Sequence, residues 1–234
     1  MQIKDAKVIL TGGSTGIGYQ TAKLLKEQGA DVFICARSQK DIEKAISELG
    51  VKGTTADVSK ENDVKNLFEK ALKEMGGINV VINNAGIGTF DALVDTSVED
   101  FTKVWEVNVK GAFMVGKEAA KHFQKENTGN IINIASTASQ KGFANGTAYC
   151  SSKFALAGMT ESWRAELRKY NVRVMQVNPS EVITPFFDKI GGKQDKENKS
   201  KLQGTEIAHT ISSLLSMNNV GFITDATVWA TNPK

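Results

Sequence analysis

The sequence predicts an α/β domain in which a parallel sheet is covered by helices on both faces. Short apolar runs alternate with amphipathic stretches along all 234 residues. Most of these runs are apolar throughout rather than alternating, which is typical of strands buried on both sides in a parallel sheet. Strand and helix in alternation require right-handed crossovers, so a doubly wound, three-layer architecture is expected.

Seven strands and six helical stretches account for the chain, so we expect one domain over residues 1–234. The predicted strands lie at 7–11, 31–36, 53–58, 79–83, 130–135, 172–177 and 222–229. The predicted helices lie at 18–28, 39–49, 59–75, 98–127, 149–170 and 205–217. Gly29 and Gly50 suit the left-handed position after the first two helices. Thr96 with Glu99 indicates a capping box before the fourth helix, and Gly111 is a candidate kink within it.

The composition excludes several classes of function. The formal net charge is +3 and no basic stripe occurs, so nucleic acid is not an expected partner. No apolar run approaches the roughly 20 residues of a membrane span, and the early first strand leaves no room for a signal peptide. Cys35 and Cys150 cannot form a disulfide framework and favour a reducing cytoplasm. His122 and His209 are the only histidines, so no metal site is expected.

A glycine cluster follows the first predicted strand and opens the first helix, reading TGGSTGIG over residues 11–18. This context favours a dinucleotide site, because a pyrophosphate binds free N–H groups at a helix start. The spacing is G-x-x-x-G-x-G, and a tight turn without a ligand is the alternative. The residues assigned to the cofactor here are Gly12, Ser14, Thr15, Gly16, Ile17 and Gly18.

The second predicted strand ends at Arg37 and Ser38 without a carboxylate. Enzymes that use NAD usually place an acidic residue here for the ribose 2′-hydroxyl. The guanidinium of Arg37 suits a 2′-phosphate instead, and the Ser38 hydroxyl can add a bond. NADP(H), with NADPH as the reduced form, is therefore the expected cofactor. A solvated arginine at a strand end is the alternative.

Further motifs follow in a fixed order along the chain. They are Asp57-Val58, NNAG at 83–86, Asn108, Ser136, YCSSK at 149–153 and NPSEVIT at 178–184. Together with the glycine turn, they resemble the short-chain dehydrogenases/reductases over nearly the whole chain. The resemblance implies a single-domain Rossmann-type fold with a seven-stranded parallel sheet, and reversible hydride transfer between nicotinamide and a carbonyl/alcohol pair.

The resemblance also assigns the rest of the cofactor site. It implies that Asp57 and Val58 contact the adenine and that the backbone of NNAG passes the ribose and phosphate. It implies that the NPSEVIT motif holds the nicotinamide carboxamide. The residues so assigned are Asp57, Val58, Asn83, Ala85, Gly86, Pro179, Ile183 and Thr184, with Tyr149 and Lys153 also beside the nicotinamide ribose.

Tyr149 and Lys153 are the candidate acid and its partner. Residues four apart share one face of a helix, so both side chains point the same way. A phenol has a pKa of about 10, and a nearby ammonium together with oxidised nicotinamide is expected to lower it. Tyr149 can then exchange a proton with the substrate oxygen near neutral pH. Taken alone, this pair is common on helix surfaces.

Ser136 and Asn108 complete the candidate catalytic set. Ser136 follows the fifth strand at the carboxyl end of the sheet, where its hydroxyl can donate to the substrate oxygen. Asn108 interrupts the long fourth helix, and the resemblance implies that it holds a water that relays protons to Lys153. A turn serine and an ordinary helical asparagine are the alternatives.

The substrate is the open question at this stage. The resemblance places a variable substrate segment at 185–204, and the nearest subfamily is the 3-oxoacyl-acyl-carrier-protein reductases. The lysine-rich stretch at 188–201 suits an acidic carrier protein, but a solvated loop or a mobile lid are alternatives. Sugars, pterins, steroids and aldehydes stay open as substrates, as does a non-catalytic NADP-binding regulator. The resemblance implies a homotetramer or homodimer packed through 98–127 and 149–170.

Overall fold

A computed structural model of the chain describes residues 1–188, 198 and 200–232. One seven-stranded sheet forms its centre, in the order β3-β2-β1-β4-β5-β6-β9, and every neighbouring pair is parallel. The predicted doubly wound, Rossmann-type fold is confirmed. The strands are β1 (Lys7–Thr11), β2 (Asp31–Ala36), β3 (Lys52–Thr55), β4 (Val80–Asn83), β5 (Gly129–Ile134), β6 (Val172–Pro179) and β9 (Asp225–Val228).

Eight α-helices lie in the described part of the chain. They are α1 (Gly16–Glu27), α2 (Gln39–Leu49), α3 (Glu61–Met75), α4 (Val98–Trp105), α5 (Ala112–Glu126), α6 (Thr147–Leu167), α7 (Pro185–Asp188) and α8 (Gly204–Ser216). A second, two-stranded sheet pairs β7 (Val182–Ile183) with β8 (Leu202–Gln203). The sequence did not predict this pair, because two-residue strands carry no periodicity.

The sheet is buried on both faces, as its apolar strands predict. In β1, Val8 and Leu10 pack into one core with α1, α2 and α8, whereas Ile9 packs into the opposite core with α3 and α5. Adjacent residues of a strand point to opposite faces, so a strand covered by helices on both sides must be apolar at every position.

The long predicted fourth helix is divided in the structure. A π-helical turn, Glu106–Gly111, separates α4 from α5. A Cβ at Gly111 would lie 3.1 Å from the carbonyl oxygen of Val58, so the absence of a side chain lets this turn approach the segment after β3. The capping prediction at Thr96 is wrong by one residue. Ser97 is the N-cap, and its hydroxyl accepts from the Asp100 N–H at 3.0 Å.

The third strand ends earlier than predicted, at Thr55, and residues 56–58 continue as a loop. Gly29 and Gly50 take the predicted left-handed conformation, with φ of +91° and +61°. Most of the predicted lysine-rich stretch 188–201 lies outside the described residues. None of the helices in the described ranges has both the length and the apolar character needed to cross a membrane.

The topology creates one natural crevice. From β1 the chain order runs outward in both directions, to β2 and β3 on one side and to β4, β5, β6 and β9 on the other. The segments that leave β1 and β4 therefore diverge at the carboxyl edge, and ligands of open α/β sheets bind at this switch point.

Candidate active site

The glycine turn after β1 has a conformation that requires glycine. Gly12 and Gly16 have φ of +66° and +56°, values that L-residues with side chains rarely adopt. A Cβ at Gly18 would lie 2.1 Å from the carbonyl oxygen of Gly12. Gly13, which the sequence analysis did not assign, would place a Cβ 2.6 Å from the Ile34 side chain on β2. The turn is therefore packed backbone against backbone and against the sheet.

Helix α1 presents an anion site at this turn. Its N-cap, Thr15, makes no side-chain capping bond, and its first turn contains no acidic residue. The N–H groups of the first turn and the positive end of the helix dipole thus lack a partner of their own in this helix. A dinucleotide pyrophosphate fits this donor set and the bare glycine surface beside it. The Ile17 side chain is partly buried against the core beside α1.

The segment after β4 is tied directly to the glycine turn. The Thr11 hydroxyl accepts from the N–H groups of Asn84 and Ala85 at 3.1 and 3.0 Å. The Asn84 amide donates to the carbonyl oxygens of Thr11 and Gly12, both at 3.0 Å. Sequence analysis missed Thr11 and Asn84 as organising residues. A threonine at a strand end before glycines is the signal that could have identified the first.

The predicted adenosine side lies at the ends of β2 and β3. Arg37 is exposed just beyond β2, while the Ser38 hydroxyl accepts from the Asp41 N–H and caps α2. Burial would raise the pKa of Asp57, but bonds from Ser59 and the charges of Arg37 and Lys60 lower it overall. Arg37 is thus close enough to act on Asp57. The Val58 side chain is buried, which leaves Asp57 as the more accessible member of that pair.

Within NNAG, the three predicted residues have different surroundings. The Asn83 side chain is buried and donates to Asn133 Oδ1 at 2.9 Å, so only its backbone could meet a cofactor. Ala85 follows it in the turn that Thr11 holds. A Cβ at Gly86 would lie 3.3 Å from Asn108 Oδ1 and 3.7 Å from Lys153 Nζ. Gly86 therefore brings the cofactor turn against the candidate catalytic residues.

Asn108 joins three parts of the site through its buried side chain. Its oxygen accepts from the Ile87 N–H at 2.8 Å, and its amide donates to the Ile87 carbonyl at 2.8 Å and to the Ser152 hydroxyl at 3.0 Å. Ser152 in turn donates to the Tyr149 carbonyl at 2.7 Å. The side chain therefore holds the loop after β4 to helix α6. The water relay that the resemblance implies at Asn108 stays a prediction.

Ser136, Tyr149 and Lys153 come together beside β5 and β6. Lys153 is 5 % exposed, its ammonium donates to the Ile134 carbonyl at 2.9 Å, and it lies 5.7 Å from the centroid of the Tyr149 ring. Ser136 accepts from the Ala138 N–H at 3.1 Å and lies 3.5 Å from the Pro179 carbonyl. The expected set of hydroxyl, phenol and ammonium is thus assembled at the carboxyl edge of the sheet.

Burial dominates the ionisation of these groups. It raises the pKa of Tyr149 to about 12, although the Ser136 hydroxyl offsets part of this rise. Burial also lowers the pKa of Lys153 to about 8. The predicted lowering of the phenol pKa is therefore not found in the protein alone, because burial disfavours the charged forms of both residues. Cys150, next along the helix, is buried as predicted.

The motif after β6 returns to the glycine turn. Pro179 ends β6, and Ile183 belongs to the short strand β7. A Cβ at Gly16 would lie 3.2 Å from Thr184 Cβ. Gly16, predicted to meet the pyrophosphate, and Thr184, predicted to hold the nicotinamide carboxamide, are therefore neighbours.

Comparison with known proteins agrees with this geometry. The sequence model of the family described as short chain dehydrogenase matches residues 6–195, well over half of the chain. The chain is a short-chain dehydrogenase/reductase. The expected family is thereby confirmed, and with it the class of oxidoreductase.

Similar proteins are about one third identical to this chain over the aligned residues. An uncharacterised oxidoreductase of Bacillus subtilis, YxnA, is 34% identical over 84% of this chain, a match that spans only 57% of that relative. A 3-oxoacyl-acyl-carrier-protein reductase of Thermotoga maritima is 31% identical over 86% of this chain and 84% of its own length. A sepiapterin reductase of Chlorobaculum tepidum is 32% identical over 78% and 80%.

Solved structures of other short-chain dehydrogenases/reductases superimpose over nearly the whole chain. An actinorhodin polyketide ketoreductase with NADPH has a TM-score of 0.88 at 27% identity, covering 98% of each chain. A serine dehydrogenase in its closed form with NADP⁺ has a TM-score of 0.89 at 25% identity, covering 94% of this chain and 93% of its own.

Proposed function

We propose that the protein transfers a hydride reversibly between NADP(H) and a carbonyl/alcohol pair. The observation that carries the proposal is the buried Lys153 beside the Tyr149 ring, with Ser136 in reach of the phenol. Lys153 Nζ lies 3.7 Å from the position of a Cβ at Gly86, in the segment that hydrogen bonds of Thr11 and Asn84 tie to the glycine turn. A buried ammonium without a carboxylate partner costs folding free energy, so its retention favours a functional role.

The residues of the chain have separate tasks in this proposal. The nicotinamide, when bound, exchanges the hydride. Ser136 and Tyr149 bond the substrate oxygen and stabilise the charge that develops there. Tyr149, which burial keeps protonated at neutral pH, gives its proton to that oxygen in the reductive direction. Lys153 holds a positive charge beside the phenol and is placed to bond the nicotinamide ribose.

The preference for NADP(H) over NAD(H) rests on Arg37. It is an exposed guanidinium at the end of β2, and no carboxylate occupies residues 36–38. A 2′-phosphate would gain charge-assisted bonds there, whereas a 2′-hydroxyl would lack its usual acceptor. Two of the similar structures are named with NADPH or NADP⁺, which supports the same choice.

The substrate is proposed to be a 3-oxoacyl thioester or a similar ketone. The Thermotoga maritima relative supports this class. The lysines offered to an acidic carrier protein fall mostly outside the described residues, and the described Lys201 pairs with Glu181 at 2.8 Å. Another small carbonyl is the alternative, in keeping with the sepiapterin reductase relative, and a non-catalytic NADP-binding regulator is a second one.

A second copy of the chain is proposed to pack on α5 and α6, giving a homodimer or homotetramer. Phe113 on α5 and Phe154 on α6 are 45% and 46% exposed, which supports an apolar contact at these helices.

The test of function is NADPH oxidation against a panel of carbonyls with wild type and Tyr149→Phe. We expect turnover in wild type and a loss of roughly 10²–10⁴-fold in the variant, because the proton donor is removed. NADPH affinity, followed by fluorescence titration, should stay within about twofold since the ring is retained. Near-normal turnover in Tyr149→Phe would contradict the assignment. Tight NADPH binding without turnover of any carbonyl would favour the regulator.

A further inference from the structure

Two phenylalanines contact the ring of Tyr149 and a third stacks on one of them, and no step of the proposed reaction uses these three rings. The Phe90 ring lies 5.3 Å from the Tyr149 ring, and the Phe186 ring lies 5.8 Å from it, measured between centroids. Phe90 also lies 5.9 Å from Phe143 and 6.4 Å from Phe186. These distances fall within the range of favourable aromatic pairs, so the four rings form one cluster.

The members of this aromatic cluster come from separate parts of the chain. Phe90 follows β4, Phe143 lies between β5 and α6, Phe186 is in α7, and Tyr149 is near the start of α6. A Cβ at Gly88 would lie 2.9 Å from both the Phe90 and the Phe186 rings, so the bare glycine lets these rings close together. Two loops and helix α7 thus each contribute one phenylalanine to the cluster around the candidate proton donor.

None of the four rings belongs to the buried core. Phe143 is 52% exposed, and Phe90, Phe186 and Tyr149 are partly buried. Apolar surface of this kind beside a candidate active site is typical of a ligand pocket that a bound molecule completes.

Polar side chains of the same loops are engaged with one another or with the sheet. The Thr89 hydroxyl donates to Asp91 at 2.7 Å. The Gln140 amide donates to the Thr227 hydroxyl at 3.1 Å. The hydroxyls of Ser136 and Tyr149 are assigned to the carbonyl oxygen, and the three phenylalanine rings beside them carry no hydrogen-bonding group. A polyol substrate would bury its hydroxyls against rings that cannot bond them.

We propose that the aromatic cluster binds a flat, apolar group attached to the substrate carbonyl, so that aryl or unsaturated cyclic ketones and aldehydes are preferred. This inference rests on the proposed function of the same site. Phe90 and Phe143 are inclined by only 19°, while Phe186 stands at 77° to Phe90. A flat ring would meet both a face and an edge there, whereas a saturated ring or a linear chain gains only apolar contact area.

The experiment compares two ketones of equal carbon count, acetophenone and cyclohexyl methyl ketone, in wild type and Phe90→Leu. We expect kcat/KM for acetophenone to fall about three- to tenfold in the variant, largely through KM, because one aromatic contact is lost. For cyclohexyl methyl ketone the fall should be smaller than twofold, since leucine retains the apolar contact. The ratio of ketones within each protein cancels their different intrinsic reactivity.

Phe222→Leu is the matched control, because Phe222, between α8 and β9, is partly buried as Phe90 is and makes none of the ring contacts of the cluster. Its ratio of acetophenone to cyclohexyl methyl ketone should equal that of wild type. Glyceraldehyde, a small polyol aldehyde, should be the poorest substrate. An unchanged ratio in Phe90→Leu, or glyceraldehyde as the best substrate, would overturn the inference.

A binding measurement separates this inference from the proposed function. Calorimetric titration of the NADP⁺-loaded protein with 1-phenylethanol and with 1-cyclohexylethanol reports affinity without turnover. Tighter binding of 1-phenylethanol, lost in Phe90→Leu, would support the cluster even if no carbonyl were reduced. Turnover with equal affinity for the two alcohols would retain the function and overturn the aromatic preference.

Discussion

The two sides of the candidate site are built in different ways. On the cofactor side, backbone meets backbone: Asn84 bonds the carbonyls of Thr11 and Gly12 at 3.0 Å, and Gly18 leaves no room for a methyl group. On the substrate side, aromatic side chains project from two loops and from helix α7, Phe143 is half exposed, and Gly142 has no atom within 4 Å of an added Cβ.

The difference shows which part of the chemistry the fold fixes and which part it leaves adjustable. The pyrophosphate of a nicotinamide dinucleotide is the same whichever carbonyl is reduced. A turn made of glycine backbone and helix N–H groups therefore suits it. Carbonyl substrates differ in shape, so their contacts come from side chains on loops, where a substitution does not disturb the sheet.

Alanine at one glycine on each side is the strongest test of this comparison. We expect Gly18→Ala to weaken both NADPH and NADH by about tenfold to a hundredfold, because its Cβ would lie 2.1 Å from a carbonyl oxygen and the turn must move. Gly142→Ala should bind both cofactors as wild type does, since its Cβ meets open space. Fluorescence titration of both cofactors gives the affinities, and equal behaviour of the two variants would refute the contrast.

Lys153 lies where the two sides meet, and its burial predicts a second effect, on stability. In the folded protein its pKa of about 8 lies below the ordinary lysine value of 10.5, so between these two pH values the unfolded chain binds more protons. The free energy of unfolding attributable to Lys153 should therefore rise with pH, by roughly 2–3 kcal/mol from pH 8 to 10.

Urea denaturation of wild type and Lys153→Met at several pH values measures this term. Met fills a similar volume without a charge, so the difference in unfolding free energy between the two proteins should shift in favour of wild type as pH rises. The variant should also lose turnover. Parallel pH dependence of stability in the two proteins would show that Lys153 is not held in a desolvated position.

Replacing Arg37 is expected to give the smallest change in cofactor affinity. It sharpens the comparison, because Arg37 offers a side-chain contact on the cofactor side, where most contacts come from the backbone. We expect Arg37→Ala to weaken NADPH by about tenfold, the loss of one charge-assisted contact, and to leave NADH within twofold. Titrating both cofactors against wild type and variant checks this. If NADH binds wild type as tightly as NADPH does, the guanidinium does not select the phosphate.

The sequence predicted correctly the bounds of those strands and helices whose apolar residues follow the same pattern as their buried positions. Strands β1 and β2 and helix α2 begin and end where the apolar periodicity indicated, because each is buried along its length or along one clear face. The π turn at 106–111 was missed because its cause is tertiary: it combines the Asn108 bonds to Ile87 and Ser152 with the close approach of Gly111 to Val58.

For the site, the sequence predicted positions better than properties. Tyr149, Lys153 and Ser136 meet as the spacing and strand order indicated, but the direction of the phenol pKa depends on burial, which a motif does not reveal. The aromatic cluster was not predicted at all. Phe90, Phe143 and Phe186 are distant in sequence, and only the loop paths bring them to one place.

The two hydrogen bonds between the Asn108 amide and the Ile87 backbone have a practical consequence for protein engineering. The N–H and the carbonyl of Ile87 are both hydrogen-bonded to one buried amide. The loop that carries Phe90 therefore begins at a residue whose position is fixed. Randomised libraries at residues 88–92 can therefore vary the shape of the aromatic cluster while Tyr149 and Lys153 keep their alignment. The segment is a ready position for redesigning selectivity.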